Sequence, residues 1–182
     1  MSQAHVLVYS PAPGANDVRS CDWIENAGTP GAVALYQFRH FRPPDEDNPM
    51  AVARTVFARW NVNTGRSEGA GEINWGRRQD KITFGINEET SIRDMRQIKT
   101  PGKSKSRRFS WNGHQYKWKL GETPNDLQCY TVPRLEVGAG KLVANYDKST
   151  QSLTIDPRGE QITDQIVVLC VIHMFLLEEG RW

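Results

Sequence analysis

Between residues 99 and 119 the chain carries Lys99, Lys103, Lys105, Arg107, Arg108, Lys117 and Lys119, with no Asp or Glu among them. Basic side chains gathered in this way suit an anionic headgroup or phosphate. Arg forks onto two oxygens, and each Lys beside an acidic membrane contributes about 1 kcal/mol. The plainer reading is a solvated loop followed by a strand whose outer face needs polarity. Trp111, Tyr116 and Trp118 lie among these charges, the mixture that single-stranded nucleic acid uses for stacking and phosphate contact. Alternation assigns Tyr116 and Trp118 to an inward face, which leaves Trp111 as the aromatic available to a ligand. The candidate ligand-binding set is therefore these basic residues together with Trp111.

The other chemistry-bearing residues form no catalytic or metal-binding pattern. Gly65-Arg66-Ser67-Glu68-Gly69-Ala70-Gly71 has the glycines of a phosphate loop, but no Lys-Ser/Thr follows and no helix plainly opens after it, so it reads as a turn. His5, His40, His114 and His173 show no ligand spacing with one another or with cysteine. Before the Glu178-Glu179 pair that ends the apolar run, carboxylates cluster at Asp45-Glu46-Asp47 and Glu88-Glu89, both in expected turns. Cys21, Cys129 and Cys170 are far apart and form no CxxC pair, which excludes a disulfide framework or a zinc site and fits a reducing compartment. No catalytic residue, metal ligand or cofactor is expected. An active site assembled from distant residues would leave no such local trace.

The elements that must position these groups are mostly short strands. Residues 5–9, 33–41, 52–60, 71–75 and 81–86 read as strands. Asn63-Thr64-Gly65 reads as a turn, and Arg42-Pro43-Pro44 through Pro49 as a loop. Asn112-Gly113 is the clearest hairpin centre, because both central positions of a type I′ turn need positive φ. After it Tyr116, Trp118 and Leu120 alternate with Gln115, Lys117 and Lys119, an apolar face against a basic one. Two further strands are expected at 141–146 and 152–155.

The last element is different in kind. From Ile166 to Leu177 the run is apolar on every side, so it must be enclosed. Twelve residues rise only about 18 Å as a helix, short of a span of roughly 30 Å, so protein rather than lipid is the expected enclosure. Its β-branched residues leave a buried strand open, but a helix over about 164–177 is favoured, with His173 a hydrogen-bonded core histidine. Many short strands and one such helix predict a mainly β fold, an antiparallel barrel enclosing the helix.

With 182 residues, 38% hydrophobic side chains and six Trp, the chain suffices for one domain with a sizeable core. The expected division is residues 1–50 as an extension or added strands and 51–182 as the main domain. A net charge of +2 is too small to imply nucleic acid. The amino terminus lacks a basic region leading into a sustained apolar one, so a cytoplasmic protein without a transmembrane segment is expected.

The string Ser106-Arg107-Arg108-Phe109, Asn112-Gly113-His114-Gln115-Tyr116-Lys117-Trp118, Leu142-Val143-Ala144-Asn145-Tyr146, Leu153-Thr154-Ile155 and Asp164-Gln165-Ile166-Val167-Val168 resembles an uncharacterised domain family abundant in mushroom-forming fungi. That family is similar to the tubby carboxy-terminal domain and to LURP-one and phospholipid-scramblase-like domains. The resemblance covers about residues 51–179 and leaves 1–50 outside. It implies a barrel wrapped around a hydrophobic helix near the carboxy terminus. Tubby domains bind phosphoinositides and scramblase-like relatives are tied to membranes, whereas the fungal family carries no activity to transfer. Members often close on a basic tail, where this chain ends Glu178-Glu179-Gly180-Arg181-Trp182.

The function expected on these grounds is non-enzymatic binding of an anionic phospholipid headgroup, including phosphoinositide, at a peripheral membrane surface. A protein-interaction or oligomerising module using residues 1–50 is the second class, and an enzyme with a dispersed small-molecule site the third. Nucleic acid ranks fourth.

Overall fold

The structure is a computed structural model that describes residues 3–43, 52–76, 79–86, 89–98, 106–123, 126–133 and 140–182. Within these the fold is mainly β and antiparallel, with one α-helix, α1 (Thr163–Glu178), near the carboxy terminus. The chain divides into two compact units, residues 9–94 and residues 1–8 with 95–182. The first strand, β1 (His5–Pro11), crosses the division. The part read as an extension thus supplies β1, β2 (Cys21–Glu25) and β3 (Val33–Phe41).

In the unit of residues 9–94 the strands form a meander. β2 and β3 are followed by β4 (Ala53–Asn61), β5 (Arg66–Trp75), β6 (Lys81–Phe84) and β7 (Thr90–Ser91), each antiparallel to the one before. Its core is aromatic. Phe38 stands opposite Phe57 in register and stacks on it at 5.5 Å, and Phe57 meets the edge of Phe84 at 5.9 Å. Gly65 (φ 61°) lies in the expected turn after β4, but Arg66 to Gly71 of the glycine-rich stretch are instead part of β5, and the reason is steric. Gly71 lies opposite Phe57, and a methyl group there would collide with the Phe57 ring and the Thr83 carbonyl. The glycines therefore let one strand pass over a large ring, with a bulge between Phe57 and Ala58.

In the other unit, residues 5–8 of β1 pair with β12 (Ser152–Ile155). From there the order runs through β11 (Leu142–Asp147), β10 (Leu127–Val132) and β9 (His114–Leu120) to β8 (Arg107–Trp111), antiparallel throughout. The β8–β9 hairpin turns at Asn112 (φ 48°) and Gly113 (φ 75°), as the type I′ reading requires.

A 3-10 turn, Pro157–Ile162, leads into α1 and is capped by Asp156, whose carboxylate accepts from Arg158 N at 3.0 Å. Gly159 is needed here, because a Cβ would lie 2.8 Å from the Val143 carbonyl and 2.9 Å from Ile166 Cδ1. The helix, not a strand, is what forms over the apolar run, and Gln165 through Met174 are buried without interruption. Counting the 3-10 turn, Pro157–Glu178 spans 22 residues of mean hydropathy 1.5, enough by length and composition to cross a membrane. In this fold most of it is buried inside the protein.

Two substitutions test this packing. Val168→Asp buries a lone carboxylate at a cost of several kcal/mol, comparable to the stability of a whole domain. Soluble yield should collapse, and a folded Asp variant would show that the helix is not enclosed. Gly71→Ala should lower stability by about 1–3 kcal/mol, read as a fall of several degrees in melting temperature.

Candidate functional site

The β8–β9 hairpin sorts its side chains onto two faces by alternation. Register places Arg107 opposite Trp118, Arg108 opposite Lys117 and Phe109 opposite Tyr116. Arg107, Phe109, Tyr116 and Trp118 are buried, whereas Ser110, Gln115 and Lys119 are exposed and Arg108 and Lys117 half-buried. The basic stretch is therefore split. Arg108, Lys117 and Lys119 share the outward face, while Arg107 turns inward, only 7% exposed. Trp111 is half-buried at the hairpin end beside His114. Lys99, Lys103 and Lys105 lie outside the described residues.

On the outward face Lys119 sits over the Tyr130 ring, its Nζ 5.3 Å from the centroid, and Tyr130 donates its hydroxyl to Gln128 at 2.8 Å. Strands β8, β9 and β10 together contain no Asp or Glu.

The inward face meets α1. His173 is fully buried, and Arg96 Nε, from the 3-10 turn Asp94–Arg96, donates to its Nδ1 at 3.2 Å. The expected hydrogen-bonded core histidine is thus observed. Because Nδ1 accepts, the neutral ring carries its proton on Nε2. Trp118 approaches the His173 ring edge-on at 5.5 Å, and Trp182 does so at 5.0 Å. The Arg107 guanidinium lies over Trp182 at 5.0 Å. Trp182 reaches this place because Gly180 (φ 65°) ends α1 in the left-handed conformation, with Arg181 N bonded to Leu176 O and Gly180 N to Leu177 O. Neither Arg96 nor Trp182 was singled out by sequence, since one is lone and the other follows a helix end. The Gly-x-Trp close was the available signal.

The unit of residues 9–94 holds a second polar cluster. Trp75 Nε1 donates to Thr55 Oγ1 at 2.8 Å, and that hydroxyl shares a second hydrogen bond, of 2.9 Å, with His40 Nδ1. Arg19 stacks on Trp75 at 5.1 Å and pairs with Asp17 at 2.6 Å. Burial lowers the pKa of His40, and Arg19 lowers it further. Burial opposes the charge of Asp17, but its bonds from Arg19 outweigh this and hold it below the usual carboxylate value. A hydroxyl hydrogen-bonded to an imidazole is the arrangement of a nucleophile and its base. Thr55 has 0% exposure, however, so the chain of bonds cross-links strands rather than meeting a substrate. Among the described residues no group of three or more His, Cys, Asp or Glu side chains could hold a metal.

Burial holds the His173 pKa well below its usual value, and the charges of Arg96 and Arg107 add to this. Below about pH 6.5 the unfolded chain binds a proton that the folded one refuses, so stability falls as pH falls, by up to about 1.4 kcal/mol per unit. His173→Gln should flatten the decline in melting temperature between pH 7 and pH 5 relative to wild type. An unchanged slope would mean that His173 takes up its proton equally in the folded and unfolded chain.

No curated protein and no solved structure matches this chain. Residues 16–174 match a family of unknown function, DUF6593, a span that takes in β2 and β3, left outside by the resemblance read from the sequence, together with β8, β9 and all of α1 up to Met174. The match covers well over half of the chain, which therefore belongs to that family of unknown function, DUF6593.

Proposed function

We propose that the protein is a non-enzymatic binding module whose outward β8–β10 face takes an anionic phospholipid headgroup, phosphoinositide included, at a cytoplasmic membrane surface. The observation that carries this reading is the placement of Arg108 directly opposite Lys117, with Lys119 two residues on, across three strands free of carboxylates. Like charges directly opposite destabilise a sheet. An anionic surface converts that cost into attraction, at about 1 kcal/mol for each basic side chain near it. The resemblance to tubby and scramblase-like domains supports the same reading.

Co-sedimentation of the full chain with neutral and phosphoinositide-containing vesicles, at low and physiological salt, tests it. Wild type should require the acidic lipid and keep binding at physiological salt. Lys117→Glu with Lys119→Glu should weaken binding by about 30-fold or more. Equal binding by wild type and the double variant would remove the proposal, and no binding by either would point to a protein or small-molecule partner.

A further inference from the structure

In the unit containing α1, four residues from separate places in the chain adjoin one another in a ring. Arg107 on β8 stands opposite Trp118 on β9, Trp118 meets His173 at 5.5 Å, His173 meets Trp182 at 5.0 Å, and Trp182 lies 5.0 Å beneath Arg107. Three of these walls are buried: Arg107 is 7% exposed, Trp118 and His173 both 0%. Trp182 is the half-buried wall.

The circuit offers donors. The one imidazole acceptor, His173 Nδ1, is taken by Arg96. His173 Nε2 and Trp118 Nε1 are both buried without a partner among the described residues. Among the described residues Arg107 donates to the Ser106 carbonyl at 3.5 Å, and burial lowers its pKa. A buried donor left unmade costs about 1–3 kcal/mol, and a buried charge without a counter-charge costs more. Water satisfies a donor but not a charge. A species that brings both acceptor oxygens and negative charge satisfies all three groups at once.

We propose that this circuit is a binding site for a phosphate group, held by the Arg107 guanidinium and by the N–H donors of His173 and Trp118. Phosphate fits better than carboxylate because it carries three acceptor oxygens and a charge of about −1.5 to −2. A second guanidinium, Arg96, backs the His173 ring. Trp182, one residue beyond Arg181 and the Gly180 turn, is the half-buried wall and so the side from which an anion would enter. The site faces inward, opposite Lys117 and Lys119 on the same hairpin, so it goes beyond the lipid-surface reading and does not depend on it.

Inorganic phosphate and, separately, glycerol 3-phosphate are titrated into the full chain at constant ionic strength set with sodium chloride, with melting temperature and tryptophan emission as readouts. A saturable rise in melting temperature with a matching emission change is expected. Trp118→Phe keeps the ring and removes the N–H, and should weaken the apparent affinity roughly tenfold. Arg107→Gln should abolish saturation, and Arg66→Gln, an exposed change in the unit of residues 9–94, should leave it unchanged. Saturation by both probes assigns the site to phosphate monoesters, and by inorganic phosphate alone to the free anion; either upholds the proposal. A rise that never saturates is the general salting effect of phosphate and overturns it, as does equal affinity in Trp118→Phe and wild type. Should Arg107→Gln fail to fold, the Trp118→Phe comparison decides.

Discussion

The constraint on which the structure depends is the burial of a helix that has no polar face. Ten consecutive residues, Gln165 to Met174, are all buried, so no side of α1 is left for solvent. A helix satisfies its own backbone in the middle and leaves four N–H and four C=O groups open at its ends. The ends are therefore where sequence and fold must agree. At the amino end the chain enters already hydrogen-bonded, through the Asp156-capped 3-10 turn and the bond from Thr163 N to Glu160 O. At the carboxy end Gly180 lets Arg181 and its own N–H return to the last carbonyls. Both ends are closed by local hydrogen bonds, which leaves Gln165 and His173 as the polar side chains buried within the helix.

The second constraint is register. Side chains alternate with a period of two, so the Asn112-Gly113 turn that fixes β8 against β9 also decides which of two adjacent arginines faces in. Arg107 goes to the apolar side with Phe109, and Arg108 to the solvent side with Lys117. A one-residue slip would exchange them. The hairpin would then bury Arg108 and Lys117 and expose Phe109 and Trp118. The same two strands thus carry a basic surface and a buried guanidinium, and the burial of Phe109, Tyr116 and Trp118 holds that assignment in place.

Much of this was legible in the sequence where local chemistry is strong. The all-round apolar run specified an enclosed helix, and Asn112-Gly113 with the Tyr-x-Trp alternation specified the hairpin and its inward face. What escaped had weak local signals. β2 (Cys21–Glu25) sits in polar sequence, and β10 (Leu127–Val132) begins close after Pro124; both gain strand form from their neighbours. The stretch Gly65–Gly71 read as a turn because its glycines signal freedom, when Gly71 is instead required by the Phe57 ring across the sheet. The basic run read as one surface because charge can be counted in a sequence, whereas the direction of Arg107 depends on register. The circuit around His173 was invisible for a further reason: Arg96, Arg107, Trp118, His173 and Trp182 come from five separate places, and only folding brings them together.

Both faces of the hairpin are locally costly, and the costs bear on what the protein is built to do. For stability alone, a buried Arg107 is a poor choice, since replacing buried charge by a well-packed apolar side chain is often neutral or stabilising. Stacking on Trp182 recovers part of the cost through the ring face, but that interaction supplies neither acceptor nor counter-charge. On the other side, Arg108 opposite Lys117 sets like charges against each other where Gln or Thr would serve a solvated strand equally well. Sequences that specify a fold tend to agree across levels, and they break that agreement at sites of function. Here both breaks fall on one hairpin, and the complement proposed for each is an oxygen-rich anion, one at the surface and one in the interior.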